Sequence, residues 1–234
     1  MLTFALQMHV DFQVANEIYP ADTGDTTYND VVVQAISHQA GAKGSESFVP
    51  SNQSKTEGND DQIFWAFAAM DAAELNFQAP TGDTPSWAAM AQSVFNGQSN
   101  RWDDHCGGGL RWQMFAFNNG YNYKNVAANG GFFLLSAKLA RYTGNTTFVD
   151  SVEKQWEWFS NSVLYQPDNF QVNDGTDISN NCTKANDQQW SYNYGFYIAG
   201  LAYIYNHVST KRQTLPPHNT NTPTRPKTPN GWHR

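Results

Sequence analysis

The sequence predicts an all-α chain built as an α/α toroid, a ring of stacked αα-hairpins, and three observations carry that expectation. One motif occurs three times, at Thr23-Gly24-Asp25-Thr26, Thr81-Gly82-Asp83-Thr84 and Thr143-Gly144-Asn145-Thr146, roughly sixty residues apart. Helices that read as apolar nearly all round alternate with helices apolar along one face. Strand signals are few. A closed ring of six hairpins at this period needs on the order of 360 residues. The 234 residues present suffice for roughly four hairpins, so the ring is expected to be open or incomplete.

Taken in order, positions 1–22 form an atypical N-terminal segment with no strong inner-helix pattern, although the repeat asks for one. Gln7, His9 and Asp11 interrupt its apolar run and no basic stretch precedes it, so no leader is recognised there. From Thr23 to position 208 the toroid is expected. Its first amphipathic helix carries Tyr28, Val31, Val32, Ala35 and Ile36 on one face, and the second carries Trp87, Met90, Ala91, Val94 and Phe95. Thr84 with Pro85 reads as N-cap and first turn of the second, and Thr147 with Asp150 as a capping-box-like start of the third. The glycine of each motif is expected to end the helix before it. Those preceding helices, Ile63 to Phe77 and Gly131 to Tyr142, lack a polar face and should be buried on most sides. A further helix spans Tyr192 to His207. Beyond it, positions 209–234 turn abruptly to Thr, Pro, Lys and Arg without acids, a composition that predicts disorder.

A 40% apolar share with 15% aromatics can build one sizeable core. Charged residues are only 15% while amides, hydroxyls and rings abound, which suits sugar recognition. A net charge of −7 argues against nucleic acid, whose phosphates need a basic surface. No run approaches the length of a membrane span. Cys106 and Cys182 are the only cysteines and are too far apart for a metal knuckle, which leaves one disulfide or two buried thiols. Sequons at Asn52, Asn145 and Asn181 in polar settings favour the secretory pathway.

Two stretches carry chemistry. Glu57-Gly58-Asn59-Asp60-Asp61-Gln62 sets two carboxylates side by side at an inner-helix start. They read either as an N-cap with acids in the first turn or as a catalytic pair. For the second reading, adjacent Cα atoms about 3.8 Å apart allow carboxyls to diverge to about 5 Å, the separation retaining glycosidases use. The long loop from Trp102 to Asn125 mixes Trp, Tyr, Asn, Gln and Arg, and reads either as a sugar-binding loop or as a capping loop with aromatic packing. Gly107-Gly108-Gly109 has no Gly-Lys-Ser or Gly-Lys-Thr after it and is assigned to close backbone passage rather than phosphate binding. Asp103, Asp104 and His105 lack a spaced partner for a metal and read as a solvated loop face. Asn186-Asp187-Gln188-Gln189-Trp190 is either a cap or a rim contact.

Pro50 to Thr56, Gly58 to Gln62, Cys106 to Gln113 and Asn118 to Asn125 together resemble glycoside hydrolase family 76 in its fungal cell-wall branch, in order and at familiar spacing from about Thr23 to about His207. The resemblance implies an (α/α)6 barrel and endo-cleavage of α-1,6-mannan with retention, with Asp60 as nucleophile and Asp61 as acid/base. It implies α-mannan or GPI-linked mannose glycan as partner and cell-wall glucan as acceptor for transglycosylation. It also implies a cell-surface location, with a signal peptide and GPI tail in full-length relatives that are not recognised in this chain. No cofactor or metal is expected. Trp65, Trp112, Tyr121 and Tyr123 are the candidate stacking residues, and Arg111, Gln113, Lys124, Asn125 and Asp187 the candidates for hydroxyl contacts. Cys106 and Cys182 are expected to bridge the long loop to the third-to-fourth hairpin connection. The chain departs from the family pattern at both ends, and the alternative is a silent mannan-binding scaffold or a truncated product of the same ancestry.

Overall fold

In the computed structural model the described residues are 24–41, 48–50, 52–53 and 55–214. They carry helices α1 (Asn29–Gln39), α2 (Asn59–Glu74), α3 (Trp87–Asn100), α4 (Val126–Thr143), α5 (Thr146–Ser160) and α6 (Ser191–Thr214). As their apolar sequences require, α2 and α4 are buried on nearly every side. Helix α4 packs against α2, α3, α5 and α6, and α1 and α3 pack on α2. The inner helices α2, α4 and α6 therefore form an arc backed by α1, α3 and α5, the layering of an α/α toroid. Close approach within the inner layer depends on Gly131, where a Cβ would stand 2.6 Å from the Ile63 side chain.

The repeat has a common physical basis. Gly24, Gly82 and Gly144 all take left-handed backbone, with φ of +67°, +67° and +72°. Gly144 ends α4 as expected, its N–H donating to the Ala140 carbonyl. At the second copy the expectation is corrected, because α2 stops at Glu74, Asn76 supplies the left-handed residue, and Gly82 sits in the link to α3. The caps shift too. Ser86, not Thr84, caps α3 by accepting from the Ala89 N–H, and the buried Trp87, whose indole donates to the Gln78 carbonyl, pins that helix start. Asn145, not Thr147, caps α5. The expected face of α3 is buried throughout, whereas α1 buries only Val32 and Ile36 and leaves Tyr28 and Val31 exposed.

The core forms two clusters, one with Phe64, Phe67, Phe95, Phe132 and Phe148 and one with Phe133, Phe159 and Tyr197, the last two stacked at 3.8 Å, and the partly buried Trp102 and Ile204 pack against both. At one end of the inner layer Lys138 of α4 is bonded to Asp71 and lies 2.9 Å from Glu74, both of α2, and Tyr203 of α6 donates to Glu74. This network cross-ties the three inner helices. On its outward side α6 exposes Ile198, Leu201, Tyr205 and Val208.

Short strands that the sequence does not predict complete the fold: β1 (Tyr123–Asn125), β2 (Tyr165–Gln166), β3 (Gln171–Val172), β4 (Gly175–Asp177) and β5 (Ala185–Asn186). β1, β4 and β5 form an antiparallel sheet in that order, which joins the long loop to the α5–α6 connection. A Cys106–Cys182 disulfide spans the same two segments, with Cα atoms 5.8 Å apart. Helix α6 continues to Thr214, past the boundary expected at position 208, while positions 1–23 and 215–234 lie outside the described residues.

Candidate active site

The N-termini of the inner helices meet at the end of the arc opposite Lys138. Gly58 caps α2 in extended backbone and bridges to Gln113, the Asn59 N–H donates to the Trp112 carbonyl at 2.8 Å, and the Asn59 amide donates to the Arg111 carbonyl at 2.8 Å. The long loop is thereby sewn onto the start of α2. Asn125 caps α4 by accepting from the Ala128 N–H, and its own amide donates to Asp60 Oδ2 at 3.0 Å. From the start of α6, Tyr192 lies close enough to Asp60 and Asp174 that their charges, after burial, push its phenol up.

Asp60 and Asp61 differ in setting. Asp60 has no exposed surface, and both its oxygens accept hydrogen bonds, Oδ2 from Asn125 and Oδ1 from the Asp61 N–H at 3.0 Å. Asp61 is half-buried and accepts from the Gly58 N–H at 2.8 Å, closing the capping arrangement expected of acids in a first turn. Burial, and secondly the charge of Asp61, pushes Asp60 up to about 8 against the pull of Asn125. Burial raises Asp61 as well, against the pull of the Gly58 N–H. Two carboxyls so close cannot both ionise readily, so the pair shares one proton near neutral pH.

Gly58 fixes the spacing. A Cβ there would stand 2.5 Å from Asp60 Oδ1 and 3.2 Å from Asp61 Oδ2, so the gap between these two oxygens cannot exceed the sum, about 5.7 Å. That bound admits the roughly 5–5.5 Å of retaining glycosidases and falls below the roughly 6.5 Å at which inverting pairs begin. The backbone at φ −90° would tolerate alanine, so Gly58→Ala should fold while displacing both carboxylates. We expect a loss of at least about 100-fold in kcat/KM with circular dichroism unchanged; a loss below about threefold would show that the carboxylate positions do not matter.

The remaining candidates divide. Asn125 holds Asp60, so it positions the pair rather than standing free for a hydroxyl. Lys124 is corrected outright. Its ammonium has no exposed surface and is held by the carbonyls of Asp103, His105, Gly108 and Gly109 and by the Asp103 carboxylate, so the irregular loop folds around it. Arg111 is likewise spent inside the loop on Asp103 and Asn122, with its guanidinium 4.4 Å from the Tyr121 ring centre, so one face of Tyr121 is already covered. Gln113 is buried and accepts from Asn118. The Tyr123 hydroxyl donates to Asp174 at 2.7 Å and accepts from Asn186, and burial with that Asp174 bond raises its phenol. Trp112 packs over Gly120 and edge-on to Tyr123. Trp65 is half-buried one turn after Asp61 on the same helix face, and Asp187 is exposed beside Asn186. Asp103 is an anchor for Lys124, Arg111 and His105, not the solvated face expected, although Asp104 and His105 are exposed. Gly108 and Gly109 pass directly against Trp102 and Trp158, the close passage anticipated. Asn52, Asn145 and Asn181 are all exposed.

Three residues at the site do not stand out in the sequence. Tyr192 and Asp174 reach it from α6 and from the sheet, segments whose convergence no local pattern reveals. Glu57 is adjacent in sequence to Gly58 and the aspartates, but nothing local shows its burial. Trp190, 45% exposed, stacks on Tyr192 at the start of α6.

The model of glycosyl hydrolase family 76 matches residues 18–214. The chain is 52% identical over 182 residues to the mannan endo-1,6-alpha-mannosidase DCW1 of Saccharomyces cerevisiae, covering 77% of this chain and 40% of that protein. To the mannan endo-1,6-alpha-mannosidase DFG5 of Candida albicans it is 49% identical over 187 residues, covering 78% and 41%. Among solved structures it superposes on Dfg5 from Chaetomium thermophilum in complex with glucosamine with a TM-score of 0.79 and 38% identity, covering 90% of this chain and 50% of that one. The chain thus spans about two-fifths of the length of the curated relatives it matches. With the family model covering most of its length and an adjacent aspartate pair at the meeting of its inner helices, the chain belongs to glycosyl hydrolase family 76.

Proposed function

We propose that this chain carries the catalytic pair of an endo-acting, retaining α-1,6-mannosidase or transglycosylase of fungal cell-wall biogenesis. The observation that carries the reading is the adjacent Asp60–Asp61 pair, whose facing oxygens lie less than about 6 Å apart over Gly58. Asp60 attacks the anomeric carbon while Asp61 gives its proton to the departing glycosidic oxygen, leaving a mannosyl ester on Asp60. Asp61, now a carboxylate, takes a proton from water or from an acceptor sugar hydroxyl, which displaces Asp60 and restores the start. Two donors on Asp60 favour its ionised form once substrate is bound. With no exposed surface in this conformation, Asp60 reaches a sugar only after the groups covering it move.

The substrate we assign is α-1,6-mannan or a GPI-linked mannose glycan, with cell-wall glucan as the acceptor in transfer. Trp65, Trp112 and Trp190 are the rings we assign to stacking, and Asp187 and Asn186 to hydroxyl contacts. The exposed sequon asparagines Asn52, Asn145 and Asn181 and the Cys106–Cys182 disulfide support passage through the oxidising secretory pathway to the cell surface. No helix among the described residues is long and apolar enough to cross a membrane.

The test follows an α-1,6-mannooligosaccharide by proton NMR during cleavage, with mass spectrometry after a 2-fluoro mannosyl donor. The expected outcome is α product first and a mannosyl adduct on Asp60. β product first, or neither cleavage nor adduct, would overturn the assignment.

A further inference from the structure

Glu57 takes no part in the chemistry assigned to Asp60 and Asp61, yet it is buried beside them. Its side chain is 5% exposed, and Oε2 reaches neither solvent nor any hydrogen-bond partner. A carboxyl so placed either faces a cation that is free to pair or stays neutral. Arg101, at the end of α3, is the cation that acts on it. Two of its guanidinium nitrogens are committed elsewhere, Nε to Asn59 Oδ1 at 2.8 Å and one terminal nitrogen to Gln62 Oε1 at 2.5 Å. From α2 the group acting on Glu57 is Asp61, which in turn acts on Asp60. Farther round, Tyr192 of α6 feels both Asp60 and Asp174. The backbone joins them closely, since the residue after Glu57 is the Gly58 whose N–H holds Asp61 Oδ2.

We propose that Glu57 is a positioning residue for the aspartate pair: a third buried carboxyl, one residue before the Gly58 that holds Asp61 and with Oε2 unpartnered, whose charge governs how the pair keeps its shared proton. This rests on the catalytic reading of Asp60 and Asp61 but makes a claim about proton affinity that can be read without turnover.

The electrostatics agree with the geometry. Burial first, then the charge of Asp61, pushes Glu57 up to about 8 against the pull of Arg101, and burial, opposed by Glu57, brings Arg101 down to about 10. At pH 7 the cluster of Glu57, Asp60 and Asp61 therefore keeps most of its protons. Above pH 8 Glu57 loses its proton to solvent and becomes a negative charge next to Asp61. That charge opposes ionisation of the pair, so the acid needed to protonate the leaving oxygen survives further into alkali. Linkage gives a second consequence of definite sign. A carboxyl raised by folding binds its proton more tightly in the native state than at its ordinary value of 4.5, so it stabilises the fold most below that value, and the contribution is lost as pH rises to about 8.

The experiment titrates the site carboxyls by carbon-13 NMR in the parent and in Glu57→Gln, which keeps the shape of the neutral acid. Expected results are a Glu57 titration near 8 and, in Glu57→Gln, an upper titration step of the Asp60–Asp61 pair about one pH unit lower. Activity adds a second readout: the alkaline limb of kcat/KM in Glu57→Gln moves down by the same unit relative to the parent. Glu57→Asp, which retains a carboxyl, should restore the limb at least in part. A Glu57 titration near 4.5, or an upper step of the pair that does not move, would overturn the proposal. Should the parent fail to cleave mannan, the catalytic reading falls while the titration still decides the role of Glu57. If Glu57→Gln unfolds, the parent decides alone: a Glu57 step near 8 to which the Asp60 and Asp61 carboxyl signals respond over the same pH range upholds the proposal, and a step near 4.5, or aspartate signals that do not respond, overturns it.

Discussion

Asp60→Asn and Asp61→Asn should each lower kcat/KM on α-1,6-mannooligosaccharides by about 10⁴-fold, because each removes one half of a two-carboxyl reaction. The loss should not come from unfolding. Asp60 is a buried acid pushed up to about 8, so a neutral amide in its place removes no charge that the fold depends on at pH 7, although one of its two donors loses its acceptor. Denaturation midpoints of both variants should stay within about 1 kcal/mol of the parent. Azide separates the roles. Without Asp61, a mannosyl donor with a good leaving group still esterifies Asp60, and azide displaces Asp60 from the opposite face, giving α-azide with net retention. Without Asp60, azide attacks the donor directly and gives β-azide with inversion. The opposite pairing of products would exchange the two roles, and variants within about tenfold of the parent would remove the pair from the mechanism altogether.

This exchange is a live physical question, since the two oxygens face opposing demands. The nucleophile must be ionised to attack, and the deeper residue, Asp60, is the harder to ionise by burial alone. Its two donors favour the anion. A bound sugar that excludes water around Asp61 raises the proton affinity of that residue, sending the shared proton to it and the charge to Asp60. The acid and base assignments therefore depend on what fills the site as well as on the chain.

Much of the architecture was legible because apolarity all round and apolarity on one face are different signals at the same period of 3.6. Ile63 to Phe77 and Gly131 to Tyr142 announced inner helices, and the Trp87 to Phe95 stripe an outer one. Thr-Gly turns were legible for a backbone reason, the positive φ of Gly24, Gly82 and Gly144. Caps slipped by two residues, because Ser86 and Thr84, or Asn145 and Thr147, are chemically equivalent and only the burial of Trp87 chooses between the first two. The short strands were invisible, because strands of two or three residues are too short to show alternation. At the site, adjacency of the aspartates was written in the sequence, whereas their burial came from segments far away, Asn125 and the Arg111–Gln113 stretch. Composition also misled. Lys124 and Arg111 suit sugar hydroxyls, but an irregular loop must first satisfy its own carbonyls, and they were consumed doing so.

That consumption leads to the largest expected effect on stability. Lys124→Met should destabilise the chain by about 3–5 kcal/mol in urea denaturation, since it leaves the Asp103 carboxylate without its buried partner and the Asp103 and Gly108 carbonyls without a donor, while those of His105 and Gly109 keep the Gly108 and Asp103 N–H groups. Methionine matches the length and apolar stem of the lysine, so the loss measures the ammonium alone. Lys124→Arg should not rescue it, because a planar fork cannot take the place of a compact ammonium among carbonyls converging from Asp103, His105, Gly108 and Gly109. Activity should fall along with the fold by a traceable route. Lys124 shapes the loop after Trp102, the loop presents Arg111, Trp112 and Gln113, and these hold Asn59 and Gly58, on which the aspartates stand. A midpoint for Lys124→Met within about 1 kcal/mol of the parent would mean that the loop holds its shape without the buried cation, and the positions of Asp60 and Asp61 would then owe nothing to it.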